Sequence, residues 1–147
     1  MRNAHPALFV PIGWLASFVV VLPYVVILEL FPGLQNTAGP DLASKGLVER
    51  VIVACLVAPL FETAVHQWGP HHLFHVHWKL PLPWVLLLSA AFFGAAHFYS
   101  FGYIIFAFLI GLVLAYAFAV KHGSKHNPFW LVFWIHALRN AVGVILA

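Results

Sequence analysis

The sequence predicts an all-α membrane protein, a single polytopic bundle of about five transmembrane helices. Of the 147 residues, 63% are hydrophobic and 7% are charged, and the mean hydropathy is +0.96, which leaves too little polar surface for a water-soluble domain. The apolar residues fall into long stretches separated by short polar loops, and a helix that spans a bilayer needs about 20 residues. The seven Lys and Arg are scattered along the chain, so nothing indicates nucleic-acid binding, and the single cysteine, Cys55, is interpreted as a small buried hydrophobe.

The first hydrophobic segment, residues 6–31, is long enough to cross a bilayer. Its apolar part exceeds the roughly 7–15 residues of a signal-peptide core, and no small-residue cleavage site follows it, so we expect it to remain as the first span. Pro11 and Pro23 are expected to kink this helix. Residues 32–44 gather Pro, Gly, Asn, Asp and Ser, which predicts a loop at the membrane interface.

The second helix is predicted to start near Ser44 and to run through the apolar stretch 51–65, which contains Glu62. Gly69-Pro70 would bend or break it before a histidine-rich segment. Proline is acceptable at the start of a helical piece, so residues 71–78 are expected to extend the helix. That extension would leave Glu62 in the middle of the membrane.

Three further helices are predicted over residues 83–98, 103–120 and 129–147, joined by a short turn at 99–102 and a polar loop at 121–128. Five spans place the N-terminus and the loops 67–82 and 121–128 on one side of the membrane. That side carries the larger number of loop cations, namely Arg2, Lys79, Lys121 and Lys125 against Lys45 and Arg50. The positive-inside rule then predicts a cytoplasmic N-terminus, and we expect an integral protein of a bacterial or archaeal cell membrane.

Three of the apolar stretches carry isolated polar residues. Glu62 lies in the second stretch, His97 ends the third, and His136 and Asn140 lie one turn apart on the last. An unsatisfied polar group in hydrocarbon costs several kcal/mol, roughly, so these side chains are expected to meet across the bundle. Polar groups inside a membrane are functional-site candidates by default, although each one alone would serve equally well as a structural hydrogen-bonding residue.

As motifs, these residues occur as APLFE ending at Glu62, FxxxH from Phe93 to His97, and HxxxN from His136 to Asn140. In this order the motifs resemble those of the CAAX-protease and bacteriocin-processing membrane endopeptidases, which carry EExxxR, FxxxH and HxxxN or HxxxD on successive helices. The resemblance covers residues 51 to 147, approximately.

The first motif departs from the family pattern. Alignment on Ala58-Pro59 places Glu62 on the first glutamate, Thr63 on the second and Gln67 on the arginine. The resemblance implies that the first glutamate activates water, whereas the ion pair that would brace the site is missing. We expect His66 or Gln67 to take over part of that bracing by hydrogen bonding.

The residues themselves suit hydrolysis of a peptide bond in a membrane-anchored protein or peptide. The segment removed would be a C-terminal tail, a CAAX-type terminus or a leader. Glu62 with His97 can hold and deprotonate a water, and His136 and Asn140 can donate to the oxyanion of the tetrahedral intermediate. Two histidines and one carboxylate also form a zinc-hydrolase ligand set. No HExxH-type spacing is present and the resemblance admits a metal-free glutamate mechanism, so no cofactor is predicted, with zinc or another divalent metal as the alternative.

Other function classes follow from the histidines. The segment 66–77 holds a cluster of five histidines, of which His71 and His75 are spaced to chelate a metal on a helix face. Membrane di-iron oxidases and hydroxylases need several such histidine boxes, and one is present here. A non-catalytic bundle that binds haem through His97 and His136, or a metal, is the remaining alternative. Interfacial histidines that titrate near neutral pH are the simplest interpretation of the cluster.

Overall fold

A computed structural model describes residues 1–31, 39–41 and 44–146 as an all-helical protein. The predicted loop at 32–44 lies mostly outside the described residues. Six helical elements are described: α1 at Pro6–Val19, α2 at Leu22–Leu30, α3 at 47–77, α4 at Leu82–Ala96, α5 at Phe101–Lys121 and α6 at Pro128–Leu146. When α1 and α2 are counted as one helical segment, Pro6–Leu30, the described residues contain five helices, the number that the sequence predicts.

The first hydrophobic segment is broken once. Val20 and Val21 separate α1 from α2, and Pro23 follows in the first turn of α2, where the missing N–H of proline is tolerated. Pro11, by contrast, lies inside α1 without interrupting it. A proline inside a membrane helix removes one hydrogen bond and need not end the helix, because neighbouring groups satisfy the freed carbonyl.

Helix α3 begins at Leu47 rather than near Ser44, and it continues through Gly69 and Pro70 to His77. It alternates between two forms: α-helical Leu47–Arg50 and Ala58–Glu62, and π-helical Val51–Val57, Thr63–Trp68 and His71–His77. The helical extension past Pro70 is therefore confirmed. The run has 31 residues, more than the roughly 20 that a membrane-spanning helix needs, and Glu62 lies at its middle.

The last three helices lie within two residues of their predicted bounds, and the differences come from their caps. The hydroxyl of Ser100 accepts a hydrogen bond from the Tyr103 amide at 3.1 Å, so α5 begins at Phe101 instead of Tyr103. Helix α4 ends at Ala96, and His97 has left helical geometry, with φ −101° and ψ 51°. That departure turns the His97 side chain relative to the rest of α4.

Helices α4 and α5 share the most extensive helix–helix contact. Gly94 allows it, since a Cβ at this position would lie 2.9 Å from the carbonyl oxygen of Ile104. The buried core lies beside this pair, and its largest fully buried side chains are Phe93, Leu114, Phe118, Val132 and Ile135.

The N-terminus is tied to the end of α5 by a buried lysine. Lys121 is fully buried, and its Nζ donates hydrogen bonds to the carbonyl oxygens of Arg2 at 3.1 Å and Ala4 at 2.6 Å. The ammonium also lies 4.5 Å from the centre of the Phe9 ring. The N-terminal residues and the 121–128 loop are therefore on the same side of the bundle, as five spans require.

Within the described part of the chain, three helices are long and apolar enough to cross a membrane, namely Pro6–Leu30, Phe101–Lys121 and Pro128–Leu146. Helix α4 is apolar but has 15 residues, fewer than the number usually needed to span. Large apolar side chains such as Leu15, Leu22 and Trp134 point outward and are exposed, as lipid-facing residues would be. The chain is an integral membrane protein by these features.

Candidate active site

Three of the four predicted site residues meet at one carboxylate. Oε2 of Glu62 lies 3.3 Å from Nε2 of His136, and Oε1 of Glu62 lies 3.8 Å from Nε2 of His97. The Glu62 side chain is 24% exposed, that of His97 is 16% and that of His136 is 4%. The middle of α3, the end of α4 and the centre of α6 each contribute one group, so the polar residues find one another as predicted.

His97 is oriented by its own backbone neighbourhood. Its Nδ1 lies 2.7 Å from the carbonyl oxygen of Phe93, one turn earlier on α4. A carbonyl oxygen accepts and does not donate, so Nδ1 carries the proton and the Nε2 of a neutral ring has a free lone pair. That lone pair faces Glu62 at 3.8 Å, which is too far for a direct hydrogen bond and short enough for a bridging water.

His136 has the opposite arrangement. Its Nδ1 is buried without a hydrogen-bond partner among the described residues. Placing the proton on Nδ1 would leave a buried donor unsatisfied, so the favoured neutral ring carries its proton on Nε2, towards the Glu62 carboxylate. The contact is close but not aligned as a hydrogen bond, because Oε2 of Glu62 also lacks a partner with hydrogen-bond geometry within the described chain. His136 is thus placed as a donor.

Asn140 lies one turn beyond His136 on α6 and has a structural contact that the sequence did not predict. Its Nδ2 donates a hydrogen bond to the carbonyl oxygen of Ala54 at 2.8 Å, in the π-helical part of α3. This bond ties α6 to α3 across the bundle. An amide has two N–H donors, so one remains for another partner.

All four residues line one cavity of about 770 Å³, a size typical of ligand-binding pockets. Its walls are mainly apolar, with Val53, Phe106, Ile110 and Val142 among them. The other polar and charged lining residues are Asp41, Ser44, Lys45, Arg50, Tyr99, Tyr103 and Arg139. The cavity thus extends from the half-buried Glu62 to the start of α3.

Sequence reasoning missed Arg139 as part of this site. The residue is 9% exposed, and its Nη1 donates to the carbonyl oxygen of Ser17 at 2.9 Å and contacts the Ser17 hydroxyl oxygen at 3.4 Å. The guanidinium also lies over the rings of Phe18 at 4.5 Å and Phe106 at 5.2 Å. A signal was present, because Arg139 is the single charged residue between 128 and 147, and an arginine inside a membrane helix is itself a functional-site candidate.

The expected bracing by His66 or Gln67 is absent from the described structure, so that prediction is wrong. The His66 ring packs edge-on against Phe93, with 5.6 Å between ring centres, and its Nδ1 has no hydrogen-bond partner in the described chain. Gln67 is 1% exposed, and neither atom of its amide has a described partner. The His66 ring packs against α4, and neither His66 nor Gln67 forms a hydrogen bond with Glu62 among the described residues.

The histidine-rich end of α3 forms a separate cluster that does not line the cavity. The ring centres of His71 and His122 lie 4.5 Å apart, and those of His71 and His75 lie 5.1 Å apart. Burial, followed by the nearby His72 and His75 and by Arg2, lowers the pKa of His122, which lies just past the end of α5. Across residues 1–31, 39–41 and 44–146, no group of three or more His, Cys, Asp or Glu is arranged to hold a metal ion.

Comparison with known proteins identifies one family. The model of a family described as type II CAAX prenyl endopeptidase, Rce1-like, matches residues 44–142, which include Glu62, His97, His136 and Asn140. No curated protein matches the chain, and no solved structure does.

Proposed function

The chain belongs to the Rce1-like family of type II CAAX prenyl endopeptidases and is therefore an intramembrane peptide-bond hydrolase, and we propose that Glu62 activates the attacking water. One observation carries the proposal: the two oxygens of the Glu62 carboxylate face imidazole nitrogens from two other helices, inside a largely apolar cavity. The proposed substrate is a membrane-anchored protein or peptide whose cleavage site reaches this cavity from the interface.

The attacking water is held between Glu62 and His97. Oε1 of Glu62 and Nε2 of His97 are both acceptors, and their separation of 3.8 Å lets one water donate a hydrogen to each. The lone pairs of that water then point away from the pair, towards a substrate carbonyl in the cavity. Glu62 takes one proton as the water oxygen bonds to the carbonyl carbon.

His136 and Asn140 act on the carbonyl oxygen. The Nε2–H of His136 and the second N–H of Asn140 are donors on one face of α6. They stabilise the negative charge that develops on the oxygen, which is the usual role of an oxyanion hole. The intermediate collapses when the C–N bond breaks, and the protonated Glu62 returns its proton to the leaving amine. Protons and electrons balance without a further reactant.

The membrane topology is part of the same proposal. We infer that α3 and α4 also cross the bilayer, which gives five spans with the N-terminus in the cytoplasm, consistent with the distribution of loop cations. Glu62 is then in mid-membrane, because it lies at the middle of α3. Labelling of single cysteines introduced at Lys79 and Lys45 from outside intact cells tests this topology. The proposed orientation predicts that Lys45→Cys is labelled and Lys79→Cys is not. The opposite result would show that the N-terminus lies outside the cytoplasm.

The catalytic proposal is tested with purified protein in phosphatidylcholine vesicles and a library of prenylated peptides with randomised C-terminal sequences. We expect mass spectrometry to find cleaved products with the wild-type protein and none with Glu62→Gln, which keeps shape and hydrogen bonding but not basicity. Glu49→Gln is the matched control, since Glu49 is an exposed acid paired with Lys45 at 2.6 Å. Cleavage that survives Glu62→Gln would place the base elsewhere.

A further inference from the structure

Arg139 is a buried cation for which the described residues provide no acid. Its side chain forms no ion pair with any described carboxylate, and both of its hydrogen-bonding contacts are made by Nη1 to Ser17. A guanidinium has five N–H groups, so the edge formed by Nε and Nη2 has no described protein partner. A charge in a membrane interior is retained at a cost, and residues of this kind mark binding sites more often than structural ones.

The residue that carries this edge belongs to the catalytic cavity. Arg139 lines that cavity together with Glu62 and His97. It lies three residues after His136 on α6, so the two side chains share one face of the helix. The hydroxyl of Tyr103 interacts electrostatically with both Glu62 and Arg139, so both charges lie close to it.

The rest of the guanidinium is enclosed. Ser17 of α1 holds Nη1, and the rings of Phe18 and Phe106 cover the guanidinium at 4.5 Å and 5.2 Å. A peptide chain that reached the free edge could not continue through these groups. The chemistry that fits is therefore an anion at the end of a chain, and a planar carboxylate matches the two parallel N–H bonds of one guanidinium edge.

We propose that Arg139 binds the free α-carboxylate of the substrate and so determines that cleavage occurs close to a C-terminus. This inference rests on the proposed function. His136 and Arg139 have Cβ atoms about 5–6 Å apart and arginine is long, so the reacting carbonyl and the bound carboxylate are separated by a distance on the order of 10 Å. An extended peptide covers that distance with about two to four residues. A leader with a long chain on both sides of the cleaved bond has no carboxylate to offer.

The test uses two versions of the prenylated peptide library, one with free C-terminal carboxylates and one with C-terminal amides, in phosphatidylcholine vesicles. We expect the wild-type protein to prefer the carboxylate library by about 10²-fold in kcat/KM, mainly through KM. Arg139→Gln should lose that preference by cleaving the carboxylate library more slowly, while cleavage of the amide library stays close to wild type. Arg139→Lys should restore part of the preference, because it keeps the charge without the paired N–H geometry.

Arg50→Gln is the matched control, since it removes the same charge from another residue that lines the cavity. It should retain the carboxylate preference. Thermal unfolding of each variant identifies loss of fold, and Arg139→Lys remains informative where Arg139→Gln does not fold.

The outcomes separate the two proposals. Equal cleavage of both libraries by the wild-type protein would overturn the carboxylate site and leave the protease intact, whereas cleavage of neither would remove the proposed function for prenylated substrates. A lipid phosphate is the other source of an anion. If added phosphatidylglycerol inhibits the wild-type protein and not Arg139→Gln, and no carboxylate preference is seen, Arg139 binds lipid and the proposal is wrong.

Discussion

Glu62 and His136 approach within 3.3 Å, between Oε2 and Nε2, from the middle of α3 and the middle of α6. The His136 side chain is 4% exposed and packs edge-on against Phe93, with 5.5 Å between ring centres. Removing Glu62 would leave the buried His136 ring without the carboxylate that it faces, and removing His136 would leave Glu62 with the more distant His97, at 3.8 Å, as its remaining imidazole neighbour. Both losses are costly in a membrane interior. The same two residues are therefore expected to contribute to stability and to chemistry, and experiments must measure both.

The first prediction separates the contribution to stability from the contribution to catalysis at the third residue of the site, His97. His97→Ala should abolish turnover, because the water loses its second acceptor. His97→Asn should be equally inactive but more stable than His97→Ala, since the short amide can still donate to the Phe93 carbonyl without reaching Glu62. Thermal unfolding in detergent and the peptide-cleavage assay measure the two effects. Phe98→Ala, at a neighbouring exposed position, is the control. A catalytically active His97→Asn protein would contradict the role of Nε2.

A second prediction concerns Asn140. Asn140→Ala removes a proposed oxyanion donor and should lower kcat about 10²–10³-fold with little change in KM, because the lost contact forms in the transition state. It also removes the hydrogen bond to Ala54, at a stability cost of about 1 kcal/mol. Steady-state kinetics at two temperatures distinguish the two effects. If the loss disappears when the assay is cooled well below the unfolding transition, Asn140 only joins α6 to α3.

The convergence of Glu62, His97 and His136 was predictable because isolated polar groups in an apolar bundle must find partners. The extension of α3 was predictable for a similar reason, since without it Glu62 and His97 could not lie at the same depth. The hydrogen bond between Asn140 and Ala54 was not predictable. The position of the Ala54 carbonyl depends on the π-helical path of α3, for which the sequence has no clear pattern.

Arg139 was overlooked for a different reason. The orientation of a membrane protein depends on cations in loops and at helix ends, whereas Arg139 lies well inside an apolar helix and has no bearing on it. The start of α5 was misplaced because a serine cap reaches two residues further back than the hydrophobic pattern suggests. The prediction that Gln67 supports the Glu62 site by hydrogen bonding is wrong. A polar side chain can be buried without a hydrogen-bond partner, and the sequence does not reveal this.

A third prediction is that the activity does not depend on a metal. A histidine that ligates zinc usually donates its other ring N–H to an acceptor, and Nδ1 of His136 has none among the described residues. The favoured Nε2–H form of His136 donates and does not ligate. Incubation with 1,10-phenanthroline or EDTA, followed by removal of the chelator, should leave kcat unchanged. Loss of activity that added zinc restores would make Glu62, His97 and His136 a ligand set and would reassign the mechanism.

A fourth prediction is that the histidine cluster has no part in cleavage. His71 and His75 contact each other and His122 or the Leu80 carbonyl, and none of these residues lines the catalytic cavity. The double variant His71→Ala with His75→Ala should therefore retain kcat/KM within a few-fold of wild type when assayed below its unfolding temperature. His77→Ala, at an exposed position of the same segment, is the control for substitution in this helix end. Complete loss in the double variant alone would mean that the active site has been placed wrongly.

The last prediction is a pH dependence of stability that comes from His122. This residue follows the last residue of α5 and therefore lies outside the membrane-spanning segments, with its ring centre 4.5 Å from that of His71. Burial, followed by the nearby His72 and His75 and by Arg2, lowers the pKa of His122 below the ordinary value of a histidine. Below that ordinary value, about 6.5, the unfolded state binds the proton more readily than the folded state does, so the free energy of unfolding falls as the pH drops.

Thermal unfolding in detergent, followed from pH 7.5 to pH 4.5, measures this effect. The unfolding temperature of the wild-type protein should fall through this range, and His122→Phe should reduce the fall, because the new ring can stack on Phe118 as His122 does, without a titrating group. His77→Phe, at an exposed position, should leave the wild-type slope in place. An unchanged slope in His122→Phe would show that other groups carry the acid sensitivity, since the proton that His122 takes up on unfolding would then make no measurable contribution.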